Sequence, residues 1–128
     1  MNIKLIGLTG IILFMFDYIF ISSYFGGEYN ILIKSIQKSK MEVNIFSAII
    51  AYAFLIGVLY YFIIKDRRSV VDAAILGSSI YGIYAWTIYA LLKNWTLKVA
   101  VIDTIWGGVL FGSTTLALQY IEGVFLRR

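Results

Sequence analysis

Four long apolar runs, Leu5–Phe25, Ile45–Ile64, Ala73–Leu92 and Val99–Ile121, alternate with three short polar stretches along the chain. An α-helix rises about 1.5 Å per residue, so roughly 20 apolar residues cross the roughly 30 Å hydrocarbon core of a bilayer. Each run meets that length. The pattern therefore predicts an all-α fold, a four-helix transmembrane bundle with short loops and both termini on the same side. Nothing is left over for a soluble domain, so residues 1–128 are expected to form a single integral membrane domain. Of the charged residues, only Asp17 and Asp103 fall inside the runs. A bilayer imposes that segregation, because a charge at its centre costs at least about 2.5 kcal/mol.

The connections carry the remaining charge. Gly26–Val43 holds Glu28, Lys34, Lys38, Lys40 and Glu42, with Ile31, Leu32, Ile33 and Ile36 between them, so part of it is expected to lie as an amphipathic helix at the interface. Lys65–Asp72 is dense in charge, and Lys93–Lys98 is tight enough to make the last two helices a close antiparallel hairpin. The first run is longer than a signal-peptide core and no A-x-A site follows it, so it is expected to be retained. With four spans, Lys4, Lys65, Arg67, Arg68, Arg127 and Arg128 share one side, against Lys34, Lys38, Lys40, Lys93 and Lys98 on the other. The positive-inside rule then favours an N-in, C-in orientation by a narrow margin. Asn94-Trp95-Thr96 is a formal glycosylation sequon in a loop too short to be a good acceptor.

Composition narrows the chemistry. The chain is 61 % hydrophobic and 14 % charged, far from the roughly half and quarter of soluble domains. There is no Cys, so disulfides, zinc–thiolate sites and iron–sulfur clusters are excluded. There is no His, so imidazole ligation and a Ser-His-Asp relay are excluded. No catalytic residue, metal site or cofactor is indicated. The net charge of +4 reads as headgroup contact and topology, with the lipid bilayer as partner and no nucleic acid.

The candidate chemistry lies in the two intramembrane acids. Such residues usually face a bundle interior, paired or hydrogen-bonded. Asp17 sits about 12 Å in from one end of its run, and Asp103 about 6 Å in from the same face. The helices that carry them run antiparallel, so the two carboxylates share one half of the bilayer. Asp17-Tyr18-Ile19-Phe20 and Asp103-Thr104-Ile105-Trp106 both read Asp-x-Ile-aromatic, with the aromatic on the carboxylate's own face. That hints at an internal duplication of the inverted-repeat kind. Two carboxylates in low dielectric do not both ionise comfortably, so a shared proton or a bound cation is one expected state. The simpler alternative is that each acid ties helices together through Tyr, Trp or Ser partners. Tyr52, Tyr81, Tyr84, Trp86, Tyr89 and Trp106 are candidate supporting partners, because buried Tyr and Trp need hydrogen-bond acceptors. Small residues mark packing faces: Thr104, Gly108 and Gly112 on the fourth span, Ala74, Ser78 and Gly82 on the third, with Gly77 and Gly107 beside them. They are expected to seal contacts within one bundle rather than between copies.

Tyr81-Gly82-Ile83-Tyr84, Thr87, the stretch Ala90-Leu91-Leu92-Lys93-Asn94-Trp95-Thr96-Leu97-Lys98, and Asp103-Thr104-Ile105-Trp106-Gly107 resemble the predicted membrane proteins of domain of unknown function 2177. That family reads Y-G-T-Y-D-L-T-N, then L-K-x-W-P-L-K, then V-D-x-x-W-G, and carries an Asp followed by an aromatic in its first helix, as Asp17 and Phe20 do here. The resemblance covers nearly the whole chain and is specific from Tyr81 to Gly107. It implies a small four-span membrane protein and assigns no activity. The family's third-helix Asp falls at Ala85, its Asn at Ile88, and its Pro at Thr96.

Three functions fit these residues. One is a transporter or channel-like protein, possible as a homo-oligomer, with Asp17 and Asp103 binding a proton or small cation. Another is a structural or accessory subunit of a larger membrane complex. The least favoured is a lipid-acting enzyme that relies on Asp and Tyr alone, and the reading leans against an enzyme.

Overall fold

A computed structural model describes residues 2–39 and 44–125 of the chain. It is all-helical, with α1 Ile3–Phe20, α2 Gly26–Gln37, α3 Ile45–Leu59, α4 Val70–Leu91 and α5 Leu97–Phe125. Four segments are long and apolar enough to cross a membrane: Ile3–Ser23, Ile45–Ile64, Val70–Leu91 and Leu97–Glu122. These lie within a few residues of the four runs in the sequence.

Each span starts on a side-chain cap. Asn2 accepts from the Leu5 amide, Asn44 from Ser47, Ser69 from Asp72 and Thr96 from Val99, at 3.0, 3.1, 3.0 and 3.2 Å. A cap satisfies one of the four orphan amides at a helix start. Asp72 adds a negative charge in the first turn of α4, where the helix dipole favours it. α1 and α3 each run on into a π turn, Ile21–Phe25 and Tyr60–Ile64.

Part of the segment after the first span is helical, as expected: Gly26–Gln37 forms α2 and continues α1 through the π turn. Its apolar residues explain this, since Leu32 is buried against Trp95 and Val99, with Ile33 and Ile36 packed alongside. Lys40, Glu42 and Val43, and Arg127 and Arg128 at the other end, lie outside the described residues.

The helices pack unequally. α4 and α5 form a close antiparallel hairpin around Gly77 and Gly107. A Cβ at Gly77 would overlap the Gly107 carbonyl oxygen and lie 2.7 Å from Phe111 Cβ, while one at Gly107 would lie 2.6 Å from Tyr81 Cβ. Backbones come this close only where side chains are absent. The expected small-residue faces meet each other here. Gly82 lies against Thr104, Gly108 against Ser78, and Gly112 against Ala74, with Ser78 Oγ donating to the Thr104 carbonyl at 3.1 Å. α1 packs on α5, and α3 packs on α1 through Gly10 and Ile56. Leu13, Leu59, Leu110, Phe111 and Leu118 form the fully enclosed core. One side of α3 has little protein against it: Ile45, Phe46 and Phe54 are 66, 74 and 70 % exposed.

Candidate functional site

Both intramembrane acids are buried, Asp17 at 6 % and Asp103 at 5 % exposure. Asp17 closes a junction of three helices. Tyr52 of α3 donates its hydroxyl to Oδ2, and Trp106 of α5 donates its indole N–H to Oδ1 at 2.9 Å. Each carboxylate oxygen thus meets one uncharged donor. The rings are fixed in turn. Trp106 stacks on Phe20 with centroids 4.1 Å apart and planes 11° from parallel, and Tyr52 meets Phe14 edge-on at 5.3 Å. The two aromatics of the Asp-x-Ile-aromatic repeat, Phe20 and Trp106, are therefore the pair that stacks, one from each antiparallel helix.

Asp103 lies one turn before Trp106 and has a different partner. Tyr29 of α2 donates its hydroxyl to Oδ2 at 2.6 Å. Beside it Lys98 pairs with Glu28 at 3.1 Å, and Tyr29 meets Trp95 edge-on at 5.7 Å. Tyr29 was not among the expected partners, because it lies in the polar stretch read as a linker. The available signal was its position three residues before Leu32, on the face that Leu32, Ile33 and Ile36 bury. Burial first, then the charge of Asp103 and the hydrogen bond to it, push the Tyr29 phenol above the usual tyrosine range. It is a neutral donor across physiological pH.

The other expected partners divide by their direction around α4. Tyr81 packs against Gly107 and lies within electrostatic reach of both carboxylates. Tyr84 is within reach of Asp103 but is 53 % exposed. Trp86 and Tyr89 meet each other edge-on at 5.8 Å and stand on the outer surface, 42 and 39 % exposed. α4 turns its small residues, Ala73, Gly77, Gly82 and Ala85, inward, which leaves those rings outside. Ala85, where the family pattern has Asp, is 1 % exposed.

Among the described residues no Lys or Arg pairs with Asp17 or Asp103; the ion pairs are Arg67–Glu122, Arg68–Asp72 and Lys98–Glu28. A carboxylate ringed by N–H and O–H donors presents positive hydrogens at its oxygens. At Asp17 both oxygens are met in this way, at Asp103 only Oδ2.

Four apolar helices, with two acids held by neutral donors between them, define a multi-pass integral membrane protein. The family described as "Predicted membrane protein (DUF2177)" matches residues 2–120, and the chain belongs to that family. No curated protein and no solved structure matches the chain.

Proposed function

We propose that Asp17 and Asp103 are proton-binding groups of a small transport- or channel-like membrane protein. The observation that carries this reading is the donor set, in which each buried carboxylate meets only uncharged hydroxyl or indole groups. An ionised acid in hydrocarbon without a cation is costly, and taking up a proton relieves that cost. The protonated acid keeps one oxygen as acceptor, and Tyr52 or Tyr29 can accept from the new O–H because a hydroxyl both donates and accepts. The site therefore accommodates both protonation states without moving a helix.

The test is reconstitution in vesicles with an imposed pH gradient and a pH-sensitive dye inside. The wild-type chain should dissipate the gradient faster than empty vesicles, and Asp17→Asn should abolish the excess. An unchanged rate in Asp17→Asn would refute the reading.

A second reading has its own observation. α3 exposes Ile45, Phe46, Ile49 and Phe54, a surface on which another membrane subunit could pack. As an accessory subunit, the protein would use Asp17 and Asp103 to hold its helices. Asp17→Leu, which satisfies neither Tyr52 nor Trp106, would then lower the yield of the complex, while Asp17→Asn would spare it and there would be no flux to lose.

A further inference from the structure

The helix α2 lies directly over Asp103, and the chain between it and α1 is built to bend. Ser22 and Ser23 donate their hydroxyls back to the carbonyls of Tyr18 and Ile19. The helix then opens into the π turn Ile21–Phe25, and Gly26 and Gly27 follow at once. Back-bonded serines, π turns and glycine pairs each bend or weaken a helix, and π turns concentrate at functional sites. A Cβ at Gly26 would lie 2.6 Å from the Ile21 carbonyl oxygen, so the turn in this form requires glycine there.

Beyond the bend, α2 is held by the Tyr29–Asp103 hydrogen bond, the exposed Glu28–Lys98 pair, the Tyr29–Trp95 ring contact, and the packing of Leu32, Ile33 and Ile36 around Trp95 and Val99. One feature opposes this position. The indole N–H of Trp95 is buried with no acceptor among the described residues, and a buried donor without a partner disfavours the state that buries it. Lifting α2 would return that N–H, and Asp103, to water or headgroups.

We propose that α2 is a hinged lid, closed in this structure, that sets whether water reaches Asp103. Closed, Tyr29 occupies one carboxylate oxygen and α2 covers the end of the α4–α5 hairpin. Open, the acid exchanges protons with the aqueous phase on that face. The consequence for proton exchange rests on the reading of Asp103 as a proton-binding group; the position of the lid does not.

The chain has no cysteine, so single reporters are clean. Val99, 2 % exposed beneath α2, is replaced by Cys, and its reaction with a water-soluble maleimide is timed in lipid nanodiscs, where both faces are accessible. Labelling should be far slower than at an open reference, Leu97→Cys, since Leu97 is 53 % exposed. Tyr29→Phe removes only the latching hydroxyl and should raise the Val99→Cys rate about tenfold, the effect of one hydrogen bond to a charged group. Leu32→Cys, on the underside of the lid, should accelerate in parallel. The proposal is overturned if Tyr29→Phe leaves both rates unchanged, or if Val99→Cys already reacts as fast as Leu97→Cys. Labelling that responds while vesicles show no proton flux keeps the lid and removes the proton reading. Flux without a labelling response does the reverse.

Discussion

Replacing Asp17 separates a proton site from a structural tie, because two substitutions with the same branched shape have opposite hydrogen-bond consequences. Asn keeps one oxygen for the Trp106 indole, which can only donate. Its amide then faces Tyr52, whose hydroxyl can turn from donor to acceptor. Both contacts survive, and Asp17→Asn should change stability by less than about 1 kcal/mol. Leu keeps the branched four-atom shape of the side chain, with bulkier tips, and satisfies neither donor. Interhelical hydrogen bonds in membranes contribute about 0.6 kcal/mol on average and about 1.7 at most. Two lost near that maximum, with both donors left buried, should make Asp17→Leu cost about 2–3 kcal/mol. The assay is reversible unfolding by SDS from mixed micelles, followed by tryptophan fluorescence, since Trp106 leaves its stack on Phe20 when α1 and α5 part. The reasoning fails if Asp17→Asn is as destabilising as Asp17→Leu, because the carboxylate charge itself would then be holding the helices.

Three further outcomes follow from the same geometry. Gly107→Val should push α4 from α5 and destabilise by about 1–3 kcal/mol, the usual cost of overpacking, whereas Gly57→Ala, where a Cβ meets nothing within 4 Å, should be near neutral in the same SDS titration. Lys98→Gln breaks an ion pair whose lysine is 60 % exposed, and should shift stability by less than about 1 kcal/mol, read as a small change in SDS midpoint. The Tyr29 phenol is held above its ordinary range when folded, so the folded state keeps a proton that the unfolded chain loses above about pH 10. The stability it contributes is complete below that pH and declines as pH rises further, by up to about 1.4 kcal/mol per pH unit. Stability measured from pH 9 to 11.5 should show this decline, and Tyr29→Phe should make it shallower; an unchanged slope would contradict the buried phenol.

The spans were legible because a bilayer demands length and apolarity over whole segments, and the four runs supply both without ambiguity. Asp17 and Asp103 were legible for the complementary reason, as the acids that break those runs. The shared Asp-x-Ile-aromatic pattern also carried real geometry, since Phe20 and Trp106 meet face to face. Direction around the helix was harder. Tyr84 and Tyr89 offer the hydroxyl donors that buried acids need, yet α4 is apolar on nearly every side and shows no polar face to read. Its inward face is instead marked by small residues, and those put Trp86 and Tyr89 outside. Tyr29 was hidden by a different ambiguity. The charges around Ile31, Leu32, Ile33 and Ile36 suggested an interfacial element, and only tertiary packing on Trp95 and Val99 brings that element over Asp103.

The central claim is that the buried acids take up and release protons while the helices stay packed. Infrared difference spectroscopy of the protein in lipid, stepped between acid and alkaline buffer, reads the carbonyl band of a protonated carboxylic acid directly. The account predicts such a band appearing on acidification, reduced in Asp17→Asn and again in Asp103→Asn, with the amide bands unchanged. A band indifferent to both substitutions, or one that appears only as the amide bands collapse, would contradict it and leave Asp17 and Asp103 as ties between helices.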